Sequence, residues 1–280
     1  MPISLRRSVD SGSQPRGRGL LFHRDIPPYE RIAPPTDVAD RLQWVWVPRW
    51  DVPSGVVLRP KALVLHSMNL IVDDRGHVTV LGPSRNFFSR ELRGQGWLVG
   101  IQLRPASTPA LFGDPAPYLD GEVPRAEPSL GRAAVESMTA GPEPGPQQAV
   151  TAVAEWARAR IPIPDARGRL ANRMVDLIHS DTSIARVDEL ADGLGVSPRT
   201  LQRLSRRYLG VSPLAVIRRH RLHETLERIG SDRAVPIAQI AAEMGYADHA
   251  HLTTAFRHTL ELTPSQYRRL VAAERHAPPD

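Results

Sequence analysis

The chain has 280 residues, enough for two ordinary domains with a core each. It contains no cysteine, which excludes disulfides, thiolate-bound zinc and thiol catalysis. The formal net charge is +6 and Lys61 is the one lysine among 36 basic residues, so the positive charge is nearly all guanidinium, a group suited to bidentate contact with phosphate or guanine.

Genome base composition produces the same arginine bias, so the arginines carry information only where they cluster. Residues 1–19 have basic residues but no apolar segment behind them. They read as a disordered tail and not as a secretory signal. No apolar run approaches the roughly 20 residues of a membrane span. Residues 20–140 hold short apolar runs separated by turn signals: LQWVWVPRW (42–50), VVLRP (56–60), ALVLHSMNLIV (62–72), HVTVLGP (77–83) and GWLVGIQLRP (96–105). Asp73-Asp74-Arg75-Gly76 between two of them predicts a hairpin. The pattern is that of an antiparallel sheet, sandwich or small barrel. A loop-rich stretch follows to Pro128, with a short helix near Ala110. Gly141–Pro146 is a strong breaker, and residues 141–165 read as a linker carrying a helix over Gln147–Arg160. From 166 to 275 the periodicity is continuously helical; Leu170, Met174, Leu177 and Ile178 share one face.

The last hundred residues repeat themselves. VDELADGLG (187–195) aligns with IAQIAAEMG (237–245), with apolar residues at matching places. Each copy continues through a connector into a second helix, Pro198–Leu209 and then His249–Leu260. Each copy ends in Ser/Thr-Pro, at Ser212-Pro213 and Thr263-Pro264, which starts the next helix with a hydroxyl N-cap and proline at the first position. A short helix, a glycine turn and a second helix make a helix-turn-helix. The two units therefore span 187–209 and 237–260. Ala191 and Ala241 are small where the helices must cross.

In the first unit Leu201, Leu204 and Tyr208 share the inner face. Arg199, Gln202, Arg203 and Arg206 lie opposite. In the second unit Leu252, Ala255, Phe256 and Leu260 point inward. His249, Ala250, His251, Thr253, Thr254 and Arg257 remain outside. No acid occurs between Gly193 and His223, while seven arginines do, and none occurs between His249 and Leu260. A merely solvated helix face mixes signs, so acid-free second helices in both units point to phosphate. Pro213–Ile229 between the units spans about 25 Å as a helix. With the bulk of each unit added, the two second helices could enter successive major grooves, about 34 Å apart.

The phrases GVSPRTLQRL, GVSP, RLHET, GYADHAHLTTAF and LTPSQYRRL resemble the C-terminal DNA-binding domain of AraC/XylS-type transcription regulators over about Arg169–Leu270. The N-terminal half resembles, less specifically, the β-rich sensing domain of a subgroup of them, through GPSR (82–85) and VGIQLRP (99–105). The resemblance implies an α+β chain: a β-rich, cupin-like domain for effector binding or dimerisation, then an all-α domain with two helix-turn-helix units joined by a linker helix. By motif it implies base contacts from Arg199, Gln202, Arg203, His249, Ala250, His251, Thr253 and Thr254. Thr200, Arg206, Arg207 and Arg257 are expected on phosphates. The implied partners are double-stranded promoter DNA, RNA polymerase, an unidentified small-molecule effector and a second copy of the chain. The implied location is the cytoplasm, at the nucleoid. Two departures stand out. Ser205 occupies a place where the family has phenylalanine, which predicts a looser first unit. Thr254 stands where arginine is common, which predicts weaker or different reading by the second.

The rival is a cupin-type metal enzyme fused to a nonspecific DNA-binding module. His249-x-His251 and His220-x-x-His223 have ligand-like spacing, and His23, His66 and His77 lie in the β-rich half. Yet residues two apart on a helix diverge by about 200°, and the β-rich half has no H-x-H or H-x-x-x-H pair. No metal, cofactor or catalytic residue is assigned, and the expectation is a non-enzyme. Trp44, Trp46, Trp50 and Trp97 are expected chiefly as core; the effector site is unknown.

Overall fold

The computed structural model describes residue 29 and residues 31–64, 66–85, 87–142, 144–232 and 234–276. The expected tail lies outside them, as does His23. The N-terminal part is an antiparallel sheet in the order β1 (Arg31–Ile32), β2 (Leu42–Trp46), β8 (Gln95–Leu103), β5 (Asn69–Asp73), β6 (Val78–Leu81), β9 (Glu122–Arg125). β3 (Arg49–Asp51) also pairs with β8, and β4 (Lys61–Ala62) pairs with β7 (Phe88–Ser89) as a separate ribbon.

Period-two alternation sorts the sheet residues into two layers. Val45, Leu70, Val72, Val80, Val99 and Ile101 face a core shared with helices α2 (Pro128–Thr139) and α3 (Pro144–Arg160). Ile71, Leu81 and Leu98 face the other way, against Trp46, Trp50, Val64 and Phe88. Glycine is required under these indoles. A Cβ on Gly100 would overlap the Trp46 ring, and one on Gly96 would overlap Trp50. The Asp73 hairpin forms as expected: its carboxylate accepts from the Arg75 and His77 amides, and Gly76 takes φ +79°.

Two expectations change here. The 56–60 run forms no strand, only a bridge from Leu58 to Leu92. The 62–72 run is broken, because only Asn69–Asp73 joins the main sheet. The helix expected over Gln147–Arg160 forms within α3, and its Ala149, Val150, Val153, Ala154, Trp156 and Ala157 lie in the first core. A breaker before a helix says nothing of what the helix packs on.

The C-terminal part is seven helices: α4 (Ala166–Ser180), α5 (Val187–Leu194), α6 (Pro198–Leu209), α7 (Pro213–Ser231), α8 (Ile237–Glu243), α9 (His249–Leu260) and α10 (Pro264–His276). A short α1 (Thr108–Phe112) precedes α2. Two cores form. One joins α4, α5, α6 and the start of α7 around Met174, Leu190 and Leu201. The other joins the rest of α7 to α8, α9 and α10 around Ile229, Ile240 and Phe256. No described helix is long and apolar enough to cross a membrane.

Candidate nucleic-acid interface

Each unit is built by local signals. α5 stops at Gly195, which takes the left-handed conformation (φ +66°) that a side chain would disfavour. Ser197 then caps α6, its hydroxyl accepting from the Thr200 amide at 3.2 Å, with Pro198 at the first position. In the second unit Gly245 takes φ +70°, and the Asp248 carboxylate caps α9 by accepting from the His251 amide at 2.7 Å. Ala191 and Ala241 are fully buried where α5 meets α6 and α8 meets α9.

The result is two exposed second helices. Leu201, Leu204, Tyr208 and Leu209 are buried beneath α6, while Arg199, Gln202, Arg203, Arg206 and Arg207 are exposed. Leu252, Phe256 and Leu260 are buried beneath α9, while His249, Ala250, His251, Thr254 and Arg257 are exposed and Thr253 is half-buried. None of Arg199, Arg203, Arg206, Arg207 or Arg257 pairs with a carboxylate among the described residues. Arg207 lies near the Tyr208 ring, 6.0 Å from its centroid. The outer face of the acid-free α6 is therefore a row of cations with no carboxylate partner among the described residues.

The two faces are not equal. His251 is partly committed to the turn, since its Nδ1 accepts from the Ala247 amide at 3.3 Å and its ring meets Tyr246 edge-on at 5.4 Å. The Thr254 hydroxyl donates to the Ala250 carbonyl of its own helix at 3.0 Å. Thr200 shares a hydrogen bond with Ser197 at 3.0 Å. The second unit thus presents fewer free polar groups, with His249 and Arg257 the most available.

The acid-free run from 193 to 223 is not one surface. Arg219 is buried (5% exposed) at the seam with the β-rich domain. Burial pushes its guanidinium down to about 10, against the pull of Asp120. Arg221 donates to the Gly245 carbonyl at 3.1 Å, tying α7 to the second turn. His220 and His223 are also buried, each 3.8 Å from the glutamate one turn on. These are seam and core residues that sequence periodicity put on no particular face. The signal that could have separated Arg219 is its place one turn from Ala215 and Val216, on the apolar side of α7.

Near Arg219 a small cleft is lined by Gln43, His66, Ser67 and Gln102 of one domain and His179 and Arg219 of the other. Its volume of ≈ 20 Å³ holds about one water. Burial first, and then Arg219, push His66 down to about 4, against a hydrogen bond to the Ala215 carbonyl. Among the described residues no group of three or more histidines, aspartates and glutamates is arranged to hold a metal. His77 pairs instead with Asp73 at 3.1 Å in its hairpin.

Taken together, the two capped units and their exposed helices define a tandem helix-turn-helix protein with a separate β-rich domain ahead of it. Residues 190–270 match the family model of a helix-turn-helix domain, and residues 30–123 match a domain of unknown function (DUF6597). The chain is 30% identical over 115 residues to the regulatory protein PocR of Salmonella typhimurium, which covers 41% of this chain and 37% of that protein. It is 34% identical over 83 residues to a putative AraC-like transcription regulator of Streptomyces antibioticus, covering 30% and 27%. Among solved structures, the C-terminal domain of AraT, a response regulator from Geobacillus stearothermophilus, is 28% identical, covering 38% of this chain and 88% of that one with a TM-score of 0.34. The matches therefore span about a third of the length of the curated relatives. In its C-terminal segment the chain is thus similar to helix-turn-helix transcription regulators, among them an AraC-like one.

Proposed function

We propose that the chain is a sequence-specific DNA-binding transcription regulator whose β-rich domain responds to a small molecule. The observation that carries this reading is the outer face of α6: exposed Arg199, Gln202, Arg203, Arg206 and Arg207, with no carboxylate partner among the described residues. Clustered arginines with no carboxylate partner among the described residues suit a polyanion. Arg199, Gln202 and Arg203 lie toward the start of the helix and are assigned to base edges, with Arg206 and Arg207 on the backbone. In the second unit His249, Ala250, His251, Thr253 and Thr254 are assigned to the groove and Arg257 to phosphate. Thr200 is assigned to phosphate beside its capping role. RNA polymerase at the promoter, a second copy of the chain and a place at the nucleoid follow from the same reading, and the protein is taken as a non-enzyme.

The test is selection of a duplex from random DNA by the full chain, followed by binding of Arg203→Ala. The variant is expected to lose roughly 1–3 kcal/mol on the selected site and little on random DNA. Equal losses on both would move Arg203 to the phosphates. Failure of the native chain to select any sequence would refute the reading.

A further inference from the structure

The β-rich domain holds both helix-turn-helix units at once. Beside the first unit it meets α4, which shares that unit's core. The Asn172 amide oxygen accepts from the Ala106 amide at 2.9 Å, and its nitrogen donates to the Asp40 carbonyl at 2.7 Å. Arg104 pairs bidentately with Asp176 at 2.6 and 2.7 Å. On the second unit, Leu63 is a buried member of the core around Phe256, and Phe87 packs against it. Between these grips lies Arg219 on α7, the helix that joins the units. Its Nε donates to the Val64 carbonyl at 3.0 Å and its Nη1 to the Arg85 carbonyl at 3.1 Å.

Taking a guanidinium out of water is costly unless its hydrogen bonds are kept. A buried arginine that donates to backbone carbonyls of two separate segments therefore ties α7 to both of them. Steric blocking does not account for it, because the α6 and α9 outer faces remain exposed with the β-rich domain in place. What the domain does constrain is α7, and α7 sets the relation between the two units.

We propose that the β-rich domain is a brace, in which Arg219 gripping the Val64 and Arg85 carbonyls fixes the two exposed helices relative to each other, so that DNA offering both units a site is bound far more tightly than DNA offering one. Two linked readers gain from each other only when their geometry is already set; otherwise the second contact must first order the joint. The brace also has a lever. Val64 follows β4 and Arg85 precedes β7, so both carbonyls flank the small β4–β7 ribbon. The Val64 and Phe88 side chains pack, as Trp46 and Trp50 do, on the Ile71, Leu81 and Leu98 face of the sheet. Leu63, next in the chain to Val64, sits in the second unit's core. A shift of that ribbon moves its packing on this sheet face, the Arg219 grip and the second unit together.

The inference rests on the proposed DNA binding, and one experiment separates the two. The full chain is titrated against its selected duplex and against the same duplex with the segment read by one unit scrambled. Arg219→Gln is expected to lower affinity for the intact duplex about tenfold and for the scrambled one less than twofold. Asn172→Ala, which releases the other grip, is expected to show the same pattern and decides the matter if Arg219→Gln does not fold. Equal losses on both duplexes, no loss on the intact one, or tighter binding by the variants would overturn the brace while leaving the DNA reading intact. A native chain that selects no sequence would overturn both.

Discussion

Ser205 illustrates what one residue can hide. In the sequence it is a small polar side chain where the resemblance implies a phenylalanine, and it predicts a loosened unit. In the structure it is fully buried, and its hydroxyl donates to the Val211 carbonyl at 2.8 Å. That bond spans the turn at Gly210 (φ +72°) and fastens the end of α6 to the start of α7. The site is therefore specified rather than merely underfilled. Ser205→Ala leaves the Val211 carbonyl unsatisfied and is expected to cost about 1–3 kcal/mol in urea unfolding; unchanged stability would mean the bond contributes nothing. Arg219 is the opposite case. Counted among seven arginines it looked like part of a basic face, and only its buried environment separates it from Arg203.

At the scale of the element, the two units differ in how their second helices end. α6 ends on Gly210, which enters the left-handed region without steric cost. α9 ends on Glu261 at φ +59°, where a side chain crowds the backbone. Glu261→Gly is expected to stabilise the second unit by roughly 1 kcal/mol, read as a rise in unfolding midpoint. A fall would show that the Glu261 side chain makes up for the strain. Caps and turns at this scale were legible in advance: Ser197, Ser212 and Asp248 each accept from the amide three residues on. Such signals are local, so residue order alone carries them. The short strands were less legible. Phe88–Ser89 and Glu122–Arg125 are defined by their partners, Lys61–Ala62 and Val78–Leu81, which lie far away in the chain.

For the whole molecule, the seam between domains sets a pH dependence. His66 is 7% exposed, with Arg219 nearby, and its pKa falls from 6.5 to about 4. Between those values the unfolded chain binds a proton that the folded chain refuses. The contribution is therefore full above pH 6.5 and is lost as pH falls toward 4. It amounts to about 3 kcal/mol over the window. Urea unfolding is expected to weaken from pH 7 to pH 5, and His66→Gln is expected to flatten that slope. A variant with the native slope would take His66 out of the effect. The same seam carries Arg219, so acid weakens the brace where it is held.

What residue order determined was the repeat: two helix-turn-helix units, their caps, and the outward side of α6 and α9. Those features follow from 3.6-residue periodicity and from φ preferences at single positions, both of which are short-range. What only the tertiary structure decided was what α3 packs on, where Arg219 goes, and how the β-rich domain reaches both units. Each depends on contacts between segments far apart in the chain, such as Val64 with Arg219 and Asp40 with Asn172. No local pattern encodes such a pairing. Buried arginine and exposed arginine are the same letter until the fold supplies the neighbour.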